Sequence, residues 1–374
     1  MAEQSIAKRI DKVRGSMIGG AVGDALGYQI EFHQGVTQKM VTRFNGEIGI
    51  ISDDTQMTLF TACGLLWRET RYYLRGIAMR PTEAIYLAYL DWLGTQQRIK
   101  DHVSISWIKD IPELNVLRDP GITCLGALSS GKAGTLGEPI NNSKGCGGVM
   151  RIAPIALYLN EDVVGDFSAK SCALTHGHPL AILSAYALGY IIYYALSDYP
   201  MEKAVETAIQ KMNDWTAEGV DKDQKPIKIR YKNEKVELTE LFNKAIRLAE
   251  SDVEDQDAIR QLGMGWVADE AVAIAIYCSL KYKDNFEDAI IVAANHDGDS
   301  DSTAAITGNI VGARVGYKNI PDYYKNNIEL KDIILELSDD LANGIPLKED
   351  EKGHTYPTDE WLDKYLYLKH ASRV

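Results

Sequence analysis

Residues 15–27 read GSMIGGAVGDALG, and residues 303–316 read TAAITGNIVGARVG. In each segment a glycine returns every four residues, so the glycines share one face of an α-helix. A glycine inside a helix costs about 0.5–1 kcal/mol relative to alanine, and such a series needs a compensating contact. We therefore predict two smooth-faced helices packed deep in the core, each a candidate partner of the other. Tight packing alone explains these glycines without a functional role.

The remaining chain shows helical spacing of apolar residues, as in segments 57–66, 84–90 and 271–278. Alternating strand patterns are scarce, and no period of 20–50 residues repeats. The 374 residues therefore predict an all-α protein, which we interpret as one domain over residues 1–374. Dense mixed charge with a proline over about residues 214–257 indicates a charged surface insertion rather than a domain boundary.

The acidic composition argues against a protein that binds nucleic acid. The chain has 40 Lys and Arg residues against 53 Asp and Glu residues, a formal net charge of −13. We therefore expect no nucleic acid as a general partner, because phosphate backbones are bound by basic surfaces. A small anionic ligand would need a cation or oriented backbone amides.

Cellular location and membrane contact can also be anticipated from the sequence. Five cysteines without a CxxC pair and an N-terminus without an apolar leader favour a reducing, cytoplasmic location. The uncharged segment 179–197 contains tyrosines, a serine and a glycine, so a buried helix explains it better than a membrane span.

Two acidic segments far apart in the chain carry the strongest chemical signal. SDDT (52–55) and DGDSDST (297–303) each open a predicted apolar helix. One Ser or Asp suffices to cap a helix N-terminus, whereas adjacent carboxylates repel one another and need another explanation. Together they favour a divalent metal site over capping alone. Without His or Cys in either segment, Mg²⁺ or Mn²⁺ is favoured over zinc.

A glycine-rich loop, GCGGVMR (145–151), is a candidate phosphate site, because glycines let backbone amides approach a pyrophosphate. A plain glycine turn is the alternative. Cys146 is a weak candidate nucleophile because no base can be placed beside it. His176 and His178 lack the helical spacing of a zinc pair, which favours a structural or substrate-lining role.

Five motifs occur in a characteristic order: GAVGDALG (20–27) with Glu31, SDDTQM (52–57), GCGGVMRIAP (145–154), THGHP (175–179) and GDSDSTAAITG (298–308). Together they resemble the ADP-ribosylglycohydrolase family, which includes ADP-ribosylarginine hydrolases and dinitrogenase reductase-activating glycohydrolases. The resemblance covers about residues 15–316. It implies an orthogonal multi-helix bundle around a central cleft that holds two metal ions.

The resemblance also implies roles for individual residues. Two Mg²⁺ (or Mn²⁺) ions would be held by the two acidic segments, through Ser52, Asp53, Asp54, Asp299, Asp301 and Ser302. Proton transfer would involve Asp53, Asp54, Glu31 and Asp119. Substrate would be lined by residues of the loops, namely Gly121, Thr123, Gly145, Gly147, Gly148, Met150, Arg151, His176 and Trp266.

The serine form of the motifs, SDDT with GDSDS, is similar to the arginine-specific branch of the family. It implies a metal-dependent hydrolase that removes ADP-ribose from modified protein arginine. ADP-ribosylated protein and ADP-ribose would be its ligands. Two alternatives stay open: an immunity-type protein that binds and blocks a toxin ADP-ribosyltransferase, and a hydrolase of another adduct on serine, DNA or free ADP-ribose derivatives.

Overall fold

The computed structural model describes residues 2–32, 40–76, 78–97, 104–221, 223 and 225–366. This part of the chain forms sixteen α-helices, which confirms the predicted all-α multi-helix bundle. The helices are α1 (Ala2–Tyr28), α2 (Asp53–Arg75), α3 (Pro81–Gln97), α4 (Ile122–Ser129), α5 (Ala153–Tyr158), α6 (Glu161–Ala173), α7 (Pro179–Leu196), α8 (Met201–Asp214), α9 (Lys232–Ala249), α10 (Asp255–Leu262), α11 (Ala268–Lys281), α12 (Phe286–Ala294), α13 (Ser300–Val315), α14 (Asp322–Asn326), α15 (Lys331–Asn343) and α16 (Asp359–Tyr365).

The remaining regular elements are short. Single 3₁₀ turns occupy Trp107–Asp110, Pro112–Leu114, Cys146–Gly148 and Tyr317–Asn319. Two antiparallel hairpins pair β1 (Ala217–Val220) with β2 (Pro226–Ile229) and β3 (Leu347–Glu349) with β4 (Thr355–Pro357). Within the described residues no larger sheet forms, so helix packing determines the architecture.

Helices α1 and α13 pack against each other along their glycine faces, as the repeats predict. A Cβ on Gly19 would collide with the carbonyl oxygen of Gly308, and one on Gly308 would collide with the carbonyl of Gly19. Gly15 and Gly312 form the same reciprocal contact one turn away. The two backbones therefore touch directly, and only residues without a Cβ permit this spacing.

Polar side chains fix the register of this helix pair. The Asn309 amide donates to the Ser16 carbonyl at 2.9 Å, and the Ser16 hydroxyl donates to the Asn309 carbonyl at 2.9 Å. At the other end the Ser300 hydroxyl donates to the Gly27 carbonyl at 2.9 Å. Because the helices run antiparallel, the N-terminus of α13 lies beside the C-terminus of α1.

Helix α7 is the only described helix long and apolar enough to cross a membrane. Its 18-residue window is 89% buried inside the protein, which agrees with the prediction of a core helix. The charged stretch 214–257 contains the β1–β2 hairpin, all of α9 and the start of α10. Leu238 and Phe242 of α9 are buried in the core, while the assignment of this stretch as an insertion stays a prediction.

We expect Gly308→Ala to destabilise the protein although alanine is the better helix former. The new methyl group would overlap the α1 backbone, and such overpacking costs about 1–3 kcal/mol. Gly126→Ala in α4 is the matched control, because no atom lies within 4 Å of the position that a Cβ would take there. Its free energy of unfolding should stay unchanged or rise by up to about 1 kcal/mol. Chemical denaturation measures both, and equal effects of the two substitutions would contradict the predicted backbone contact.

Candidate metal centre and substrate cleft

The N-termini of α2 and α13 meet at the C-terminal end of α1, and six carboxylates gather there. All six are buried, with 9% exposure or less: Asp24, Glu31, Asp53, Asp54, Asp299 and Asp301. Glu31, Asp299 and Asp301 each offer an oxygen, and these three atoms lie within 4.8 Å of one another. The Ser52 side chain interacts with the Asp301 carboxylate. The two remote acidic segments therefore converge on one place.

Helix capping accounts for Asp299 but leaves Asp54 and Glu31 unexplained. At α2 the Ser52 hydroxyl is the cap and accepts from the Asp54 amide at 3.3 Å. At α13 the cap is Asp299, which accepts from the Ser302 amide at 3.2 Å. Because each helix already has a cap, Asp54 is not needed as one. Its Oδ1 is buried and has no hydrogen-bond partner. Glu31 Oε2 is likewise buried and unpartnered.

Burial and mutual repulsion raise the pKa of these carboxyls. Burial first, and then the charges of Asp301 and Asp299, raise the pKa of Glu31 to about 10. Burial, and then the charge of Asp301, hold the pKa of Asp54 and of Asp299 well above the usual range. Such a cluster either takes up protons or binds a multivalent cation. Unpartnered carboxylate oxygens beside serine hydroxyls are hard donors, and they fit Mg²⁺ or Mn²⁺.

Asp24 belongs to this cluster although sequence reasoning did not single it out. It is fully buried and accepts from the backbone amides of Ser52, at 3.0 Å, and Thr55, at 3.1 Å. Burial and the charge of Asp301 raise its pKa to about 7. Asp24 thus ties the start of α2 to α1. In the sequence, the signal that could have identified Asp24 was its position as a single acid inside a glycine-faced helix that was predicted to be buried.

Asp53 is held by the loop that precedes α4. Its Oδ2 accepts from the Gly121 amide at 3.0 Å, and its own amide donates to the Arg118 carbonyl at 3.2 Å. Asp119, between them, has a positive φ of 50° and accepts from the Tyr28 hydroxyl at 2.7 Å. Thr123 reaches the Ser143 hydroxyl at 3.2 Å. This loop therefore brings two predicted proton-transfer acids and two predicted substrate residues to one edge of the cluster.

The glycine loop 145–148 lies next to the second acidic segment. The Cys146 thiol donates to Asp299 Oδ2 at 2.7 Å. Burial and the Asp299 charge raise the pKa of this thiol well above its usual range, which keeps it protonated and disfavours a nucleophilic role. The Cys146 amide donates to the Trp266 carbonyl at 3.2 Å, and the Trp266 ring stacks on Phe32 with centroids 6.3 Å apart.

His176 lies beneath this loop. A Cβ on Gly145 or on Gly147 would lie 3.3 Å from its ring, so the two glycines permit close contact. Burial, and then the charge of Arg151, lower the pKa of His176 to about 3, so the imidazole is neutral at physiological pH. Its Nδ1 lies 2.8 Å from the Thr175 hydroxyl. A neutral ring packed under the loop supports the loop's shape.

Arg151 is held inside the protein rather than in the cleft. Arg151 is fully buried, donates to the Thr175 hydroxyl at 2.6 Å and lies 4.3 Å from the centroid of the Tyr89 ring. Met150 is 3% exposed. Any effect of Arg151 on a ligand is therefore indirect, through the loops it supports, whereas Met150 lines a small internal cavity beside Asp54. Burial raises the pKa of Asp53 well above its usual range, and the positive charge of Arg151 offsets part of that rise.

Comparison with known proteins shows similarity in sequence and in fold. The model of the ADP-ribosylglycohydrolase family matches residues 5–351. The chain is 25% identical to ADP-ribosylarginine hydrolase Tri1 of Serratia proteamaculans, over 90% of this chain and 80% of that one. It is 26% identical to ADP-ribosylhydrolase ARH3 of Mus musculus, over 87% and 89% of the two chains. A solved ADP-ribosylglycohydrolase-related protein complex has a similar fold, with a TM-score of 0.59, 21% identity and coverage of 90% and 98%.

The raised pKa values predict how pH and metal ions affect stability. A carboxyl whose folded pKa exceeds its unfolded pKa stabilises the fold at low pH, and this contribution is lost as the pH rises through the folded pKa. The unfolded pKa of Asp24 is 3.8 and its folded pKa is about 7. In EDTA the thermal midpoint should therefore fall as the pH rises from about 4 to about 7, and Mg²⁺ should restore it most at pH 8.

Two substitutions separate this effect from a general dependence on charge. Asp54→Asn removes one buried carboxylate, so it should raise the midpoint in EDTA at pH 8 and shrink the shift caused by Mg²⁺. Asp252→Asn, at an exposed position, should change neither. Differential scanning calorimetry measures the midpoints, and an Mg²⁺ shift of equal size at pH 5 and pH 8 would contradict the expected competition between protons and metal ions.

Proposed function

The chain belongs to the ADP-ribosylglycohydrolase family, and from this premise we propose that it hydrolyses the N-glycosidic bond between ADP-ribose and an arginine side chain of a modified protein. The observation that carries this proposal is the convergence of buried carboxylates from both ends of the chain beside the glycine loop. The oxygens of Glu31, Asp299 and Asp301 within 4.8 Å of one another are its centre. The arginine linkage is supported by the name of the Serratia relative and by the serine form of the motifs.

The proposed reaction needs a positioned water, stabilisation of positive charge at the ribose C1″ atom, and a proton for the leaving nitrogen. Two Mg²⁺ or Mn²⁺ ions, held by Ser52, Asp53, Asp54, Asp299, Asp301 and Ser302, would supply Lewis acidity and positive charge for the ribose hydroxyls. The remaining requirements fall to the side chains of the protein itself.

We assign proton transfer to carboxyls of the acidic cluster. Asp54 Oδ1 has no hydrogen-bond partner, and it can accept a proton from the attacking water. Glu31 lies beside Asp299 and Asp301 with a buried, unpartnered Oε2, and its carboxyl can carry the proton that the leaving guanidino nitrogen takes up. Asp119 is a second candidate for this donor, because Tyr28 holds its carboxylate at the edge of the cluster.

Binding of the diphosphate would use the backbone. The backbone of Gly145, Gly147 and Gly148 would face the anion, although the Gly145 amide now donates to the Ser143 hydroxyl at 3.3 Å and the Gly148 amide to the Gly145 carbonyl at 3.4 Å. His176 beneath the loop is neutral, so the amides rather than a histidine charge would hold the pyrophosphate. Trp266 offers a half-buried ring beside the same loop.

A hydrolase of another ADP-ribose adduct is the second candidate function. Mouse ARH3 matches this chain at 26% identity, about as well as the Serratia arginine hydrolase at 25%. Identity therefore does not select the linkage.

We expect the protein to release ADP-ribose from an arginine-modified protein in Mg²⁺ and to lose this activity in EDTA. Asp301→Ala should lower kcat by roughly 100-fold or more, because the metal-binding carboxylate is lost, whereas exposed Asp252→Asn should keep full activity. Release of radiolabelled ADP-ribose from the modified protein measures both. Label that stays on the protein with and without Mg²⁺ refutes the hydrolase assignment, and full activity of Asp301→Ala refutes the metal ligands.

A panel of linkages tests the arginine preference. Arginine-linked ADP-ribose should be hydrolysed at least about tenfold faster than serine-linked or DNA-linked ADP-ribose, measured as kcat/KM under identical conditions. Hydrolysis of the serine adduct alone would favour the second candidate.

The alternative function, in which the protein blocks an ADP-ribosyltransferase, is tested with a variant that cannot hydrolyse the substrate. If the protein acts by occlusion, the Asp301→Ala variant should inhibit an ADP-ribosyltransferase at stoichiometric concentration. For the proposed hydrolase we expect no inhibition of the transferase by that variant.

A further inference from the structure

Among the described residues, no carboxylate is hydrogen-bonded to the fully buried guanidinium of Arg151. Its Nη1 lies 3.2 Å from the Met57 sulfur and 3.4 Å from the Cys124 sulfur, and its Nη2 donates to the Thr175 hydroxyl at 2.6 Å. Its Nε has no partner. Because sulfur is a weak acceptor, the hydroxyl of Thr175 is the strongest acceptor that this buried cation contacts.

The contact with Arg151 determines the direction in which the Thr175 hydroxyl donates. A guanidinium can only donate, so the Thr175 oxygen accepts from it, and the single hydroxyl hydrogen is left for another acceptor. His176 Nδ1 lies 2.8 Å from the same oxygen. The Cys124 sulfur also interacts with Thr175, but it is a weaker acceptor than an imidazole nitrogen. The hydroxyl therefore donates to Nδ1.

A ring nitrogen that accepts a hydrogen bond carries no proton. Burial, and then the charge of Arg151, lower the pKa of His176 to about 3, so the ring is neutral at physiological pH and holds one proton. In a neutral imidazole one nitrogen donates and the other accepts, and the hydrogen bond at one nitrogen sets the state of the other. With Nδ1 as the acceptor, the proton of His176 is on Nε2.

The Nε2 atom of His176 lies under the glycine loop. A Cβ on Gly145 would lie 3.3 Å from Nε2, and one on Gly147 would lie 3.6 Å from it. Within the described part of the chain, the ring of His176 forms its hydrogen bond through Nδ1 and none through Nε2. His176 is only 1% exposed. A buried N–H group without an acceptor is costly, so an acceptor that arrives with a ligand would compensate it.

We propose that Arg151 and Thr175 are positioning residues that hold the proton of His176 on Nε2, and that this N–H group donates to the diphosphate of a ligand at the glycine loop. The second half of this inference rests on the proposed function, which brings a diphosphate to the loop. A neutral donor suits the place, because a charged imidazole would be repelled by the buried guanidinium. The fold thus gives Arg151 a role although it keeps this residue away from the ligand.

Nitrogen-15 NMR of the full chain with labelled histidines tests the tautomer directly, because protonated and unprotonated ring nitrogens differ in chemical shift. The His176 signals are identified by their loss in His176→Gln. We expect the proton on Nε2 at pH 7, and the same state at pH 5 because the pKa is about 3. Saturating ADP-ribose with Mg²⁺ should shift the Nε2 signal. A proton on Nδ1 in the wild type overturns the proposal, and so does an Nε2 signal that ADP-ribose leaves unchanged.

Substitutions of Thr175 test the relay. Thr175→Val keeps the size of the side chain but removes the hydroxyl, so the tautomer with the proton on Nδ1 should appear. The Kd for ADP-ribose, measured by titration calorimetry in Mg²⁺, should rise about tenfold. Thr175→Ser keeps the hydroxyl, and it should keep the wild-type tautomer and a Kd within about twofold of wild type.

Thr70→Val is the matched control for the loss of a buried hydroxyl. The Thr70 hydroxyl in α2 is buried and accepts from the Trp361 indole at 2.8 Å. Its removal should lower the thermal midpoint but leave the His176 signals and the Kd for ADP-ribose unchanged. Thermal unfolding of every variant verifies the fold. Arg151→Met removes the donor to the Thr175 hydroxyl, and both tautomers of His176 should then appear.

A folded Thr175→Val or Arg151→Met variant that keeps the proton entirely on Nε2 overturns the relay. Should Thr175→Val fail to fold, the wild-type spectrum and Arg151→Met decide. A wild type that binds no ADP-ribose overturns the contact with the diphosphate, and so does a Kd that rises equally in Thr175→Val and Thr70→Val. If the wild type binds ADP-ribose but hydrolyses no arginine adduct, the proposed function fails, and the spectra and Kd values judge this inference separately.

Discussion

The direct contact between the backbones of α1 and α13 determines the rest of the structure. Gly19 and Gly308 touch across the interface, and no side chain fits between them. Because the helices are antiparallel and in fixed register, the end of α1 meets the start of α13. That arrangement places Asp24 and Glu31 beside the carboxylates of the second acidic segment, residues 297–303. Packing alone explains the glycines, yet this packing is what assembles the site.

The assembled cluster is costly for the fold. Buried carboxylates repel one another, and their raised pKa values express this cost. Several features reduce it: amide donors to Asp24 and Asp53, the serine hydroxyls, and the buried charge of Arg151. None of them neutralises Glu31 Oε2 or Asp54 Oδ1, which have no partner. A bound cation would compensate these oxygens, and metal binding would then stabilise the fold. Proteins commonly give up stability in this way at functional sites.

Much of this could be predicted from the sequence, because it depends on local pattern. Helical periodicity, the glycine faces and the caps at Ser52 and Asp299 each follow from a few neighbouring residues. Whether a given side chain faces the interior, the site or the solvent depends on tertiary contacts, and this could not be predicted. Arg151 follows a glycine loop and looked like a ligand residue, but the Thr175 and Tyr89 contacts hold it inside the protein. Ile122 and Leu117 are apolar and could have been core residues, yet both are exposed.

The central claim is that carboxylates from both ends of the chain hold common cations. The most direct measurement is anomalous X-ray scattering from crystals of the protein grown with Mn²⁺. We predict anomalous density between the two acidic segments, within about 2.0–2.6 Å of oxygens of Asp54, Asp299 and Asp301. Crystals that show no anomalous density there, with the three carboxylates hydrogen-bonded only to one another or to water, would contradict it.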